Sequence, residues 1–260
     1  MLLSNPYRPD PRVRLEARAL MAAGYDVHLI AWDREVSRPK TSDEEGVHVL
    51  RLGPRSPQRD PKAILARLPR FWYRALKASE SVKFDLIHAH DFDTLPLGII
   101  ISGLSGRPLV YDAHELYAKM IEGEVGPISK LIWFKERRCA RMADEVITVS
   151  DALAEELSHG RRTKASVVST SQDPSVIEGA DAAEIRKKYG LKGFVVSYLG
   201  SLEPGRLVEE ALSALTPELD ITFVVGGSGT LRPAVEKRAS ENPSVKFIGT
   251  VDSDEALRIT

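Results

Sequence analysis

A single cysteine, Cys139, among 260 residues leaves no intramolecular disulfide and no multi-cysteine zinc or iron–sulfur site to consider. The expectation is a reduced, cytosolic chain. No apolar run approaches the ~20 residues of a membrane-spanning helix; the longest lies near Leu95 to Leu104. The opening residues, Met1 to Pro6, lack the charged start and the apolar stretch of a signal peptide. An excess of one charge is missing too. The 36 Lys+Arg face 37 Asp+Glu, a formal net charge of -1, which argues against a dedicated nucleic-acid binder. Gly (18) and Pro (16) are near average usage, which removes collagen-like and low-complexity readings. What is present is an ordinary globular composition, 43% hydrophobic and 28% charged, enough for one to two domains.

Short apolar runs alternate with amphipathic stretches. Strands are expected at Leu2–Ser4, Val27–Trp32, Val47–Arg51, Leu86–Ala89, Leu109–Asp112, Val146–Val149 and Ser166–Val168, then at Phe194–Leu199, Ile221–Gly226 and Val245–Ile248. Helical patterns fall between them at Pro11–Ala23, Pro61–Ser79, Leu95–Ser105, Pro127–Met142, Asp151–Ser158, Ala182–Tyr189, Leu207–Leu215 and Leu231–Glu241. Nearly all-apolar strands separated by helices imply parallel sheets covered on both faces. Two such series imply two doubly wound α/β domains, 1–170 and 171–260, with a linker from Ser169 to about Asp181. The first strand is shorter than the usual ~5 residues. The second series has three strands where a doubly wound sheet uses about five or six. The expectation is one whole domain and an incomplete second one ending in a helix start at Ser253–Thr260.

The strand from Leu86 to His90, continuing into Asp91-Phe92-Asp93, is the densest polar signal. Alternation places His88 and His90 on one face at the carboxyl end, where open α/β sheets bind ligands. A His-x-His pair before an acid is a metal-hydrolase pattern, but the remaining histidines, His28, His48, His114 and His159, supply no evident further ligand set. Asp91-x-Asp93 could chelate a divalent ion. The same groups could cap the next helix, or form a substrate site without metal. The next strand also ends in polar residues, Asp112-Ala113-His114-Glu115. An imidazole there suits a sugar hydroxyl or charge developing at a reacting centre, although a structural histidine fits equally.

Two glycine-rich turns follow strands of the second series, Gly200-Ser201-Leu202-Glu203-Pro204-Gly205-Arg206 and Gly226-Gly227-Ser228-Gly229-Thr230. Such turns let backbone amides approach a phosphate, and Arg206 would neutralise it. Neither has G-x-G-x-x-G spacing, so the dinucleotide fingerprint fails. The helix 61–79 carries an apolar stripe, Ile64, Leu65, Leu68, Phe71, Trp72, Ala75 and Leu76. Between Arg51 and Lys77 lie eight basic residues and one acid, Asp60. It reads either as a packed helix with a solvated basic face or as one suited to an anionic membrane surface.

The ordered set Asn5 to Arg14 (Asn-Pro-Tyr-Arg-Pro-Asp-Pro-Arg-Val-Arg), Ala23 to Val27, Asp85 to His90, Asp112 to Glu115 and Asp144 to Ser150 resembles the N-terminal domain of family 4 glycosyltransferases. Tyr198 to Arg206, Val224 to Gly229 and Val245 to Gly249 resemble the start of their nucleotide-sugar domain. The resemblance implies the GT-B fold, α/β with two Rossmann-like doubly wound domains facing a cleft, the second one incomplete here. It implies retaining transfer from a nucleotide-diphosphate sugar to a lipid-linked, cell-envelope or glycan acceptor, with no cofactor and no metal. His114 would lie near the transferred sugar as the catalytic residue. Gly200, Ser201, Arg206, Gly226, Gly227, Ser228 and Gly229 would bind the donor, and Asn5, Arg12, His90, Asp91, Glu115 and Ser150 would line the acceptor side or cleft. Nucleotide sugar is the expected partner, and an anionic membrane surface met by helix 61–79 a second one, at the cytoplasmic face. No nucleic-acid partner is expected.

Three departures stand out. Ser201 replaces a frequent Arg, Ser169-Thr-Ser-Gln172 replaces an Asn-Gly or Asn-Pro step, and the family's late two-glutamate donor segment would fall beyond Thr260. The expectation is therefore a chain truncated before that segment, whose activity alone is in question. A nucleotide-sugar epimerase and a non-catalytic GT-B-like binding protein are the alternatives.

Overall fold

The computed structural model describes residues 1–7, 10–57, 60–120, 126–169, 177–178, 181–216 and 219–260. It divides into two units, Met1–Thr170 and Ser171–Thr260. Most of the expected linker, at 170–176 and 179–180, lies outside the described residues, as do Arg8 and Pro9 of the first motif.

The first unit contains β1 (Leu2–Leu3), α1 (Pro11–Ala22), β2 (His28–Trp32), β3 (Thr41–Glu44), β4 (Val47–Leu52), α2 (Pro61–Ser79), β5 (Ile87–His90), α3 (Leu95–Ser105), β6 (Leu109–Ala113), α4 (Tyr117–Met120), α5 (Ile128–Ala140), β7 (Glu145–Thr148), α6 (Asp151–Ser158) and β8 (Ser166–Val167). The sheet order is β3-β4-β2-β1-β5-β6-β7-β8, parallel except where β3 pairs antiparallel with β4. Apart from the edge strand β3, chain order runs outward from β1 on both sides, so the carboxyl ends of β1 and β5 form a topological switch point, the usual ligand crevice of such sheets.

Alternation divides the buried strand residues between two faces. In β2, Ile30 and Trp32 join one core with Leu68, Phe71 and Ala75 of α2. Leu29 and Ala31 join the other with Val13 and Ala17 of α1. The strand β3 was not expected. Thr41-Ser-Asp-Glu has no apolar residue to signal a strand, and it is held by pairing alone at the sheet edge, where polar side chains are tolerated. Glu45 (φ 55) and Gly46 (φ 90) make its two-residue turn, both left-handed as a tight hairpin requires.

Helix α2 corrects one part of the membrane expectation. Asp60 caps it by accepting the Ala63 N–H at 3.0 Å, and Phe71 stacks on Trp32 at 5.1 Å. Most of the apolar stripe is packed into the protein: Leu68, Phe71 and Ala75 are buried, and Ile64, Trp72 and Leu76 pack against them. Only Leu65 of that stripe remains exposed. Burying this area against the sheet outweighs offering it to a lipid surface. Lys62, Arg70, Arg74 and Lys77 remain exposed.

A fully buried acid packs beside this core. Glu136 of α5 is 0% exposed and accepts from the Tyr111 hydroxyl at 3.0 Å. The Tyr117 and Ala118 amides donate to it at 3.4 Å each. Burial outweighs these bonds and pushes its carboxyl up to about 7. Between pH ~4.5 and ~7 the folded chain therefore keeps a proton that the unfolded chain releases, and stability falls as pH rises through that window. The expected loss is about 3 kcal/mol. Glu136→Gln should remove this contribution, so that urea midpoints at pH 5 and 7.5 lie closer together in the variant than in the native sequence.

The second unit contains α7 (Ala182–Tyr189), β9 (Phe194–Leu199), α8 (Val208–Ala214), β10 (Ile221–Gly226), α9 (Arg232–Glu241), β11 (Val245–Phe247) and α10 (Ser253–Ile259). Its parallel sheet has the order β11-β10-β9. Leu202, Val208, Leu212, Phe223, Val225, Val235 and Val245 form its core.

Candidate functional site

The first unit gathers its ionisable residues at the switch point. After β1 the chain turns through Asn5, whose amide donates to Asp10 at 2.7 Å and whose oxygen accepts the Tyr7 N–H at 2.8 Å. Asp10 in turn accepts the Val13 N–H at 3.3 Å and caps α1, with Pro11 at the first helical position. Arg12 stands 3.9 Å from Asp10. Glu16, one turn further along α1, reaches the strands.

Those strands are β5 and β6. The two-residue period of β5 puts the His88 and His90 rings side by side, 4.3 Å between centroids. Register pairs His90 with Asp112 of β6. One oxygen of Asp112 lies 3.0 Å from His90 Nδ1 and 3.0 Å from His114 Nε2. Glu16 closes the group, 3.6 Å from His90 Nδ1 and 3.8 Å from both His88 Nε2 and His114 Nε2. Asp91, at φ 60, donates its amide to the Asp112 carbonyl at 2.8 Å and accepts the His114 N–H at 3.3 Å. That loop holds the His114 backbone against β5.

Charge in the cluster centres on Asp112. Burial opposes its ionisation, but the imidazoles of His114, His88 and His90 turned toward it outweigh this and hold its carboxyl far below the usual range. Burial, reinforced by the neighbouring Asp112 charge, pushes Glu16 up to about 9. Burial also lowers His90 to about 3. His114 is raised despite its burial, because Asp112 faces it and attracts its charge. Asp91 rises to about 7, chiefly through burial and then through Asp93. The arrangement can keep one imidazole near its protonated form beside a fixed anion, and it can bring Glu16, His90, Asp112 and His114 onto one ion.

The other named residues of this unit are placed differently. Glu115 is exposed. Ser150 accepts the Leu153 N–H at 3.4 Å and caps α6 at the end of β7. Its geometry is that of a helix cap. Glu16 was absent from the sequence expectations, since nothing in the pattern of α1 distinguishes it from a solvated acid.

In the second unit the two glycine turns lock into each other. The Gly200 amide donates to the Gly226 carbonyl and the Leu202 amide to the Ser228 carbonyl, each at 2.9 Å. Gly227 (φ 141) and Gly229 (φ 155) lie in left-handed backbone. A Cβ at Gly227 would overlap the Gly200 carbonyl, and one at Gly229 the Leu202 carbonyl. Gly227→Ala is therefore expected to destabilise the second unit by about 3 kcal/mol or more, since backbone strain alone reaches that order. Urea unfolding checks this. The amides of Ser228, Gly229 and Thr230 donate to no group among the described residues. Arg206 is exposed, with no hydrogen bond or ion pair among the described residues. Ser201, at the start of the same turn, is also exposed, its carbonyl accepting the Tyr198 hydroxyl at 2.7 Å.

An uncharacterized glycosyltransferase of Methanocaldococcus jannaschii is 24% identical over an alignment of 268 residues, which takes in 94% of this chain and 65% of that protein. The chain thus spans just under two thirds of that curated relative's length. Sucrose-phosphate synthase from Thermosynechococcus elongatus superposes with a TM-score of 0.79 at 18% identity, over 99% of this chain and 71% of that one. The Anabaena protein HepE, solved in complex with UDP and glucose, superposes with a TM-score of 0.63 at 18% identity, over 99% and 71%. The fold is GT-B, as the resemblance implied. The model for Glycosyltransferase Family 4 matches residues 12–175, well over half the chain, and the chain belongs to that family.

Proposed function

We propose that the chain transfers a sugar, with retention, from a nucleotide-diphosphate sugar to a lipid-linked, cell-envelope or glycan acceptor. The observation that carries this reading is the pair of interlocked glycine turns. They leave the Ser228, Gly229 and Thr230 amides without partners among the described residues, in the same small unit as the exposed Arg206. Amides and a guanidinium are the groups that meet a diphosphate. Gly200, Ser201 and Gly226 shape the turns around it. UDP bound by the Anabaena relative supports the assignment.

In this reading Arg206 and the amides take up the negative charge that builds on the leaving diphosphate, and no metal is needed at the phosphates. Charge developing on the sugar is oxocarbenium-like. His114 lies beside the transferred sugar, held by Asp112 and by the Asp91 loop. Asn5, Arg12, His90 and Asp91 form the acceptor side. The exposed Lys62, Arg70, Arg74 and Lys77 of α2 bring the protein to the cytoplasmic face of an anionic membrane through charge alone, so vesicle binding weakens with added salt.

The test is to incubate the chain with UDP-, GDP- and ADP-sugars without divalent metal, and to follow nucleoside diphosphate release and the anomeric proton of the product by NMR. One nucleotide sugar is expected to be consumed with its anomeric configuration kept. Consumption of none contradicts the proposal. Accumulation of free epimerised sugar without an acceptor supports the epimerase reading instead.

A further inference from the structure

We propose that Asp26, His28 and His48, oriented by Asp43, form a surface site for a divalent transition-metal ion of the zinc type, separate from the reaction centre. Alternation puts His28 on the same face of β2 as Ile30 and Trp32, the face that packs on α2. Register pairs His28 with His48 of β4, and His48 with Asp43 of β3. Asp26, two residues before His28, falls on the same face. Three neighbouring segments thus bring two imidazoles and two carboxylates together at the amino end of the sheet. The reaction centre lies toward the carboxyl end. Ile30 pairs with Leu2, and Leu2 with Ala89. His28 is therefore below that level and His90 above it, on the opposite face from Ala89.

The Asp26 carboxylate straddles the two rings, one oxygen to each. His28 Nε2 lies 3.1 Å from Asp26 Oδ2, and His48 Nε2 lies 3.6 Å from Asp26 Oδ1. One ligand atom from each of the three residues lies within 4.8 Å of the others. Ligand atoms of a tetrahedral zinc site are about 3.4 Å apart, so an ion has to draw the group together by about 1.4 Å at most. The side chains of His28, Asp26 and His48 are 39%, 72% and 52% exposed, which leaves them room to rotate.

A second observation concerns the orientation of His48. Its Nδ1 is engaged by Asp43 Oδ1, which leaves Nε2 to face Asp26. A metal-bound imidazole usually gives its other ring hydrogen to a carboxylate, which fixes the tautomer and the ring. Asp43 already holds that position. Asp26 and Asp43 together offset the charge of a divalent ion. Imidazole with carboxylate suits zinc rather than magnesium, which prefers six oxygens. Bound there, the ion would link β2 to β4 and, through Asp43, secure the polar edge strand β3, which is otherwise held by pairing alone.

Glu16, His90, Asp112 and His114 of the reaction centre also have ligand atoms this close, so the variants must separate the two groups. The full chain, freed of metal by dialysis against chelator, is titrated with Zn²⁺ by calorimetry in the presence of excess Mg²⁺. The expected result is one Zn²⁺ per chain. His28→Gln and His48→Gln each weaken binding at least tenfold, and Asp43→Asn weakens it by about tenfold, the usual effect of losing an orienting carboxylate. Glu16→Gln leaves it unchanged. Circular dichroism in chelator confirms that the variants are folded. A Zn²⁺-dependent rise in Tm of the native chain, absent in His48→Gln, gives a second readout. No saturable Zn²⁺ binding, binding that survives both histidine variants, or binding lost with Glu16→Gln instead, overturns the proposal.

Discussion

Asp112→Asn is expected to cost the folded chain about 3 kcal/mol or more, because it removes charge-assisted contacts worth roughly 1.5–3 kcal/mol each. Asp112 is 3% exposed, and one of its oxygens lies 3.0 Å from both His90 Nδ1 and His114 Nε2. The His90 nitrogen is within hydrogen-bonding geometry of the anion, and the His114 nitrogen faces it as an ion pair. A neutral asparagine keeps at most a carbonyl oxygen there, with the charge gone, and its amide hydrogens face the donors around it. Removing one member of a buried charged group typically leaves the others uncompensated, at about 3–5 kcal/mol. Urea unfolding of the chain without metal checks this, and the midpoint should fall with the slope unchanged. A loss below about 1 kcal/mol, no more than one ordinary hydrogen bond, would mean that the three histidines do not depend on this carboxylate.

Under the proposed chemistry, His114→Ala is expected to lower kcat by about 10²–10³-fold, the usual effect of deleting one group that stabilises transition-state charge. The donor KM should change little, since Arg206 and the glycine-turn amides belong to the second unit. The split matters, because His114 is also a structural neighbour of Asp112. A purely structural histidine would lower the folded fraction and leave the turnover of the folded enzyme near its native value. The backbone bond from the His114 amide to Asp91 at 3.3 Å survives the substitution, which favours a folded variant. A kcat within tenfold of native, per folded molecule, would remove His114 from the catalytic role.

Much of this architecture was legible in the sequence, because strands buried on both faces are written in consecutive apolar residues such as Leu29-Ile30-Ala31. Phe194–Leu199 and Ile221–Gly226 appear in the structure with the boundaries their pattern implies. The strand Thr41–Glu44 was not legible, since edge pairing needs no apolar alternation. The apolar stripe of Pro61–Ser79 was legible as a stripe, but its partner was not. Helical spacing of apolar residues says that a face is covered and not by what, and here Trp32 and Phe71 cover each other. The His88/His90 face and the end of β6 were identifiable because both lie at strand ends, and register then placed Asp112 against His90. Glu16 was not identifiable. It comes from a helix more than seventy residues earlier, and spacing rules for metal or catalytic sites see only local neighbours. The interlocking of the two glycine turns was likewise hidden, because the left-handed backbone of one turn is required by the carbonyls of the other.

Everything proposed for the reaction depends on a nucleotide-diphosphate site formed by the glycine turns and Arg206, working without metal. Calorimetric titration of the chain with UDP, GDP and ADP in the presence of chelator, beside Arg206→Ala, tests that site by itself. One of the three is expected to bind, and Arg206→Ala to weaken it by about 10–100-fold, the effect of losing one charge-assisted contact. Binding that is indifferent to Arg206→Ala, or no binding by any of the three, would refute the site.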